Sequence, residues 1–240
     1  MKSWKSIMLT LLATLFLVAC GDGKTRPVST ETATYKGKHV QTLTFGSDDN
    51  SEVIKVLPGG DRAILVASKA RKVTLLAIES EGLTELRTVK LFPEDPSDSE
   101  LTHIDFDSAG TFAVVTRTHP IMSGEEFLNC EGSLVFIDVS DTDQFGTVLA
   151  QMDVGPMPDA VDISPDDRYV ISADELDYND GKCPLVSLTP SVSIMEIPQG
   201  IVADVALRAK IEMVHSEEGN KREPEQVIIA SDNDHVGVTL

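Results

Sequence analysis

Basic residues are scarce in this chain. It carries 20 Lys and Arg against 39 Asp and Glu, a formal net charge of −19 over 240 residues. Nucleic acid is a poor partner for such a surface, because that binding rests on neutralising phosphates with Lys and Arg. Long apolar runs are missing too. After the first twenty residues nothing approaches the ~20 apolar residues that a spanning helix needs, and no convincing long amphipathic helix follows. Cysteine is limited to Cys20, Cys130 and Cys183. The compact motifs of local chemistry are absent as well. The five histidines, His39, His103, His119, His215 and His235, form no His-Glu-x-x-His pair. No serine sits in a Gly-x-Ser-x-Gly elbow, and no Gly-rich phosphate loop is present. Any chemistry must therefore be assembled from residues distant in sequence.

What is there begins at the N-terminus. Lys2 and Lys5 precede a nearly unbroken apolar stretch from Ile7 to Ala19. Thirteen residues are too few to span a bilayer comfortably and suit a signal-peptide core of ~7–15 residues. The stretch ends in Leu17-Val18-Ala19-Cys20, which resembles the bacterial lipobox. The resemblance implies removal of residues 1–19, lipid on Cys20, and attachment to a membrane of the bacterial cell envelope, facing the periplasm or the surface. Several acyl chains at one site give stable anchoring where a single chain would be marginal. Residues 20–38 then read as a flexible lipidated tether with few large apolar groups. Without Lys2 and Lys5 the mature chain has 18 basic residues against 39 acidic ones, a net charge of −21. That charge favours solubility or attraction of cations.

Residues 39–240 read as all-β. Short β-branched or alternating runs are separated by Gly, Pro, Asp and Ser turns. The expected strands are His39–Phe45, Val53–Leu57, Ala63–Ser68, Lys72–Glu79, Leu86–Phe92, Leu101–Phe106, Phe112–Thr118, Ser133–Val139 and Val148–Val154, followed by Ala160–Ile163, Tyr169–Ala173, Ser191–Ile197, Ala206–Val214, Gln226–Ala230 and Val236–Leu240. Four of them share a turn followed by an apolar strand, beginning at Pro58, Asp107, Ser164 and Ser231. Arg62, Thr111, Arg168 and His235 hold equivalent places, 49, 57 and 67 residues apart. A second apolar strand follows the first three, at Val73–Ile78, Leu134–Asp138 and Val192–Ile197. An antiparallel sheet repeating at this period is the pattern of a β-propeller blade, with insertions expected as loops between the second and third strands. The count gives about three and a half blades. The expectation is an incomplete ring, truncated at the C-terminus inside a repeat: a truncated gene product, a fragment of a longer protein, or a piece completed by another chain. The alternative is a small four-bladed ring closed by pairing His39–Phe45 with Val236–Leu240.

The stretch Gly155 to Glu175, with Pro158-Asp159 and then Asp174-Glu175, resembles blades of secreted bacterial propellers of the lactonase-like and YVTN-type group. Together with Ser191–Ile197 and the Glu223-Pro-Glu-Gln-Val-Ile-Ile-Ala-Ser segment, it is most similar to the choice-of-anchor I family. The resemblance covers roughly residues 39–240. It departs from the family pattern at Ala173–Asp180, where the family has an Asn-Glu-Gly-Glu-Pro-Asn loop.

That departing loop contains the densest set of hard oxygen ligands, Asp174, Glu175, Asp177, Asn179 and Asp180. Calcium takes six to eight oxygens from such loops, so these five are the candidate cation ligands. Their spacing is not that of an EF-hand, and a solvated acidic loop is the plainer reading. His103, Asp105 and Asp162 fall where strands of a propeller meet its axis, as structural hydrogen-bonding residues or as part of a site. With Cys20 lipidated, Cys130 and Cys183 remain in an oxidising compartment, in equivalent insertions of adjacent blades, and a disulfide between them is expected. Two functions stay open: an envelope-anchored binding or scaffold propeller, and a metal-dependent hydrolase of lactonase or phosphoesterase type, which the resemblance implies.

Overall fold

In the strands of this chain both residue parities are apolar where two neighbours must be covered. The computed structural model describes residues 41, 51–123, 126–176, 188–213 and 223–240. The chain divides after His39 into two units. The first, with Cys20, lies outside the described residues, and the second is described here. Three four-stranded antiparallel sheets follow one another in strict sequence order. The first holds β1 (Ser51–Val56), β2 (Arg62–Ala67), β3 (Lys72–Glu79) and β4 (Gly82–Lys90). The second holds β5 (Glu100–Phe106), β6 (Phe112–Ser123), β7 (Glu126–Asp138) and β8 (Val148–Val154). The third holds β9 (Pro158–Ile163), β10 (Tyr169–Asp174), β11 (Ser191–Glu196) and β12 (Ala206–Glu212). A hairpin of β13 (Gln226–Ile229) and β14 (Val236–Thr239) is the inner half of a fourth blade. Two 3-10 turns, Pro198–Gly200 and Val202–Asp204, are the only helical pieces among the described residues.

The repeat is visible in the turns. Each first hairpin closes with the same i to i+3 backbone bond: Gly60 N–H to Leu57, Gly110 to Asp107, Asp167 to Ser164 and Asn233 to Ala230. The donor residue has positive φ in all four, 79°, 66°, 59° and 61°. Gly, Asp and Asn are the residues that tolerate this conformation. The strands after these turns are the second strands of their sheets, as expected; the equivalence is shifted by one residue, because the carbonyls that close the hairpins belong to Arg62, Phe112, Tyr169 and His235 rather than to Thr111 and Arg168 in the middle two.

The core lies between blades. Alternation within each strand sends one set of side chains to the preceding blade and the other to the following one. On β6, Ala113 and Val115 join Ile64, Val66 and Leu75 between the first and second blades. Phe112 and Val114 turn the other way, to Val161, Val170 and Met195 of the third. Ile171 and Ala173 then meet Val227 and Ile229 of the half-blade.

The insertion of the second blade differs from expectation. It is no loop: β6 and β7 continue as a paired hairpin, with Pro120 opposite Cys130. The strands expected from the sequence stop at Thr118 and resume at Ser133. Pairing with β5 ends at Thr118, however, so Pro120 lies where β6 has a neighbour on one side only. There a missing N–H removes no second ladder bond. His39–Phe45 and the insertion around Cys183 lie outside the described residues, apart from Gln41.

Candidate functional site

The innermost strands β1, β5, β9 and β13 line the propeller axis. Their registers against β2, β6, β10 and β14 align Lys55, Asp105, Asp162 and Ile228 in one equivalent position. Neighbours on either side of Asp105, Asp162 and Ile228 face the preceding blade, so these residues face the following one.

Each polar residue there reaches forward. Lys55 makes an ion pair with Asp105 of the second blade. Asp105 accepts the backbone N–H of Ile163 in the third at 2.8 Å. Asp162 accepts the N–H of Ile229 in the half-blade at 2.6 Å. His103, two residues before Asp105, takes the N–H of Val161 on Nδ1 at 3.4 Å. Burial and the nearby Lys55 ammonium hold the imidazole pKa below its ordinary 6.5, so it is neutral and can accept this bond. Asp162 is half-buried, with Asp105 as its carboxylate neighbour. Burial, and then its carboxylate neighbour, push its pKa up to about 6 against the favourable Ile229 N–H. The sequence placed these three residues near the axis. It did not show that they join one blade to the next.

The loop proposed as a cation site is divided by the structure. Asp174 ends β10 with its side chain fully buried. Ser172 donates to its Oδ1 at 2.7 Å. Ser191, Ser193 and the Gly155 N–H donate to Oδ2 at 2.8, 2.6 and 3.0 Å. Both oxygens are thus occupied by protein donors, and Asp174 is a structural acceptor rather than a ligand facing solvent. Burial outweighs these four donors and raises its pKa above the ordinary carboxylate value. Glu175, the next residue, points elsewhere. Its carboxylate lies with those of Glu223 and Glu225, all within 4.8 Å of one another. Asp177, Asn179 and Asp180 lie outside the described residues, as does Cys183. Glu223 and Glu225 precede β13, 48 and 50 residues after Glu175. Only the fold brings them together, so no local spacing could have found them.

One further constellation has the residue types of a nucleophilic triad without its geometry. Ser99 Oγ lies 3.2 Å from His119 Nδ1, and Asp95 lies 3.6 Å from the same nitrogen. A triad needs serine and carboxylate on opposite ring nitrogens. Arg117 grips Asp95 through two bonds of 2.8 and 2.7 Å and stacks 4.2 Å from the Phe92 ring centroid. Ser99 is fully buried. The group fastens the connection between the first and second blades.

Four-stranded sheets in sequence order, packed face to face around inner strands that carry the polar residues, define a β-propeller. Residues 52–240 match the choice-of-anchor I domain family, and the chain belongs to it. The fold is similar to a protein from Lactobacillus plantarum (18% identity, TM-score 0.53, 70% of this chain and 43% of that one). It is also similar to a periplasmic gluconolactonase of Pseudomonas aeruginosa (17%, 0.51, 71% and 42%). A putative 6-phosphogluconolactonase from Bacteroides uniformis is a third such structure (12%, 0.54, 82% and 47%). The chain spans less than half the length of these structures. Comparison with curated protein sequences gives no match.

Proposed function

We propose that the chain is a lipid-anchored propeller of the bacterial cell envelope that acts as a binding or scaffold module. The observation that supports non-catalytic use is the engagement of the axial groups. Lys55, His103, Asp105 and Asp162 are all spent on joining neighbouring blades. Anchoring rests on the Leu17-Val18-Ala19-Cys20 pattern. The test is metabolic labelling with a fatty-acid analogue, followed by membrane fractionation. Label and membrane association are expected in the wild type and lost in Cys20→Ser. Unlabelled, freely soluble wild-type protein would overturn the anchor.

The same proposal gives the propeller further blades from polypeptide outside these 240 residues, in a continuing or a partner chain. Apolar side chains on the two unpartnered faces support it. Ile54 and Val56, facing away from the second blade, are 54% and 53% exposed. Ile211 is 51% exposed on the side where outer strands of a fourth blade would lie, and Ile228, 66% exposed, faces the place of a blade beyond it. Large exposed apolar groups in one patch mark a surface that is normally covered. The disulfide between Cys130 and Cys183 belongs here too. Cys130 is buried on β7, opposite Pro120 of β6. Closing this loop of 54 residues, counting both cysteines, stabilises a fold by ~3–4 kcal/mol. Thiol labelling of the denatured, unreduced protein should find neither cysteine.

A second reading, a metal-dependent hydrolase of lactones or phosphoesters, is favoured by Glu175, Glu223 and Glu225. Three carboxylates offer three to six of the six to eight oxygens calcium takes, so the donor set fits as part of a site. Bound there, calcium would supply Lewis-acid polarisation of a carbonyl or phosphoryl oxygen. Calcium-dependent turnover of generic lactone or phosphoester substrates, lost in Glu225→Gln, would favour this reading over the first.

A further inference from the structure

The four first-hairpin turns form a row, and neighbouring turns meet in one register. The second residue of each turn is Pro58, Ser108, Pro165 or Ser231, and the fourth is Gly60, Gly110, Asp167 or Asn233. Between the first and second blades Pro58 meets Gly110, where a Cβ would lie 3.4 Å from the proline Cδ. Between the second and third, Ser108 meets Asp167: its N–H donates to Oδ1 at 2.7 Å and its hydroxyl to Oδ2 at 2.5 Å. The chemistry matches at both seams. Proline has no N–H to give and glycine no side chain to receive it. Serine gives two hydrogens, and the carboxylate takes both in charge-assisted bonds. At the third seam Pro165 holds the donor place, and Asn233 Oδ1 is buried with no hydrogen-bond partner among the described residues. The second residue of one turn is thus read by the fourth residue of the next.

The row stops at Ser231. This serine is exposed, and neither its N–H nor its hydroxyl has a partner among the described residues. We infer that it is the recognition point for a further blade whose first hairpin turn carries Asp at its fourth position. That Asp takes the Ser231 N–H and hydroxyl as Asp167 takes those of Ser108, so the open seam continues the one already built between the second and third blades. Ile228, exposed on the inner strand of the same hairpin, faces the same blade. The inference rests on the reading that further blades exist, and it names the contact by which the next one is selected. A second copy of this chain does not fit, because its first turn would bring Gly60, which has no acceptor side chain. The occupant is a blade that follows β14 in the same polypeptide, since each complete sheet is made of consecutive strands.

The test places a photo-reactive amino acid at position 228 or 231 of the protein expressed from its own gene in its own cells, and locates the adducts by peptide mass spectrometry. From position 231 the adduct should fall on a hairpin turn later in the same polypeptide, with Asp as its fourth residue. From position 228 it should fall on the inner strand of that same blade. In the protein without the photo-probe, the Ser231 amide should exchange ~10-fold more slowly than when the mapped Asp is replaced by Ala. The Ser108 amide should respond in the same way to Asp167→Ala. Adducts from position 228 together with a Ser231 amide indifferent to the mapped residue would overturn the serine contact and leave the further blades standing. An adduct from position 231 on a turn without that acceptor, on the Gly60 turn of a second copy or on any other chain would overturn the inference. No adduct from either position would overturn both it and the further blades.

Discussion

Replacing Asp174 by alanine removes one acceptor from four donors. Ser172, Ser191 and Ser193 are fully buried, so their hydroxyls cannot turn to water. The Gly155 N–H retains a longer bond to Ser193 Oγ at 3.3 Å. A buried donor left without a partner costs about 1–3 kcal/mol. Some hydroxyls can rotate towards strand carbonyls, so about two orphans is a fair count, and the loss is ~3–5 kcal/mol. That is a large part of the ~5–15 kcal/mol that holds a domain together. Asp174→Asn keeps the shape. Its amide oxygen can take the Oδ2 role, with three donors, and its NH2 can donate to Ser172, which need only reverse its hydroxyl. The expected loss is ~1 kcal/mol. Burial holds the Asp174 pKa above the ordinary value, so the wild type gains stability as pH falls and loses it as pH rises through that raised value. Asparagine has no such slope, so the gap between the two proteins should widen on acidification. Urea denaturation at two pH values reads all three quantities. An alanine variant within ~1 kcal/mol of wild type, or asparagine and alanine equally damaging, would refute the role of acceptor hub.

Gly155→Ala should be at least as disruptive, because a Cβ there would lie 2.1 Å from Ser191 Oγ and 2.5 Å from Asp174 Oδ2; soluble yield and thermal midpoint should both drop. Lys55→Met strands the buried Asp105 without its cation, and after allowing for the partial exposure of Lys55 a loss of ~1–2 kcal/mol is expected by denaturant titration. His235 is fully exposed, and its Nδ1 hydrogen-bonds Asp232 at 2.8 Å, which holds its pKa above 6.5; Asp232→Asn should lower it, as read by NMR titration of the ring.

Much of the fold was legible because each blade repeats both a turn and an apolar strand. Gly60, Gly110, Asp167 and Asn233 perform one backbone task with three residue types, and the shared spacing exposes it. The candidate site was less legible. In sequence Asp174 looks like the first of a row of loop acids. The contrary signal lies in Ser172, Ser191 and Ser193, whose partnership with it needs the pairing of β10 with β11. Asp105 and Asp162 resemble ordinary polar residues at strand ends, and only their common register reveals a shared position. Glu175 lies with Glu223 and Glu225, which arrive from a segment some fifty residues later and share no local pattern with it.

The forward reach of the axial residues gives assembly a direction. Lys55 grips the second blade, Asp105 and His103 the third, and Asp162 the half-blade. As a chain emerges N-terminus first, each sheet that forms presents a ready acceptor or charge to the strand that comes next. The strand that follows finds its register marked in advance by a single side chain. Growth from the other end would have no such guide, because β13 offers Ile228 where the earlier strands offer a polar hand. Seams of this kind turn a repeat into a vectorial template, and the order of the genetic text becomes the order in which the wheel is built.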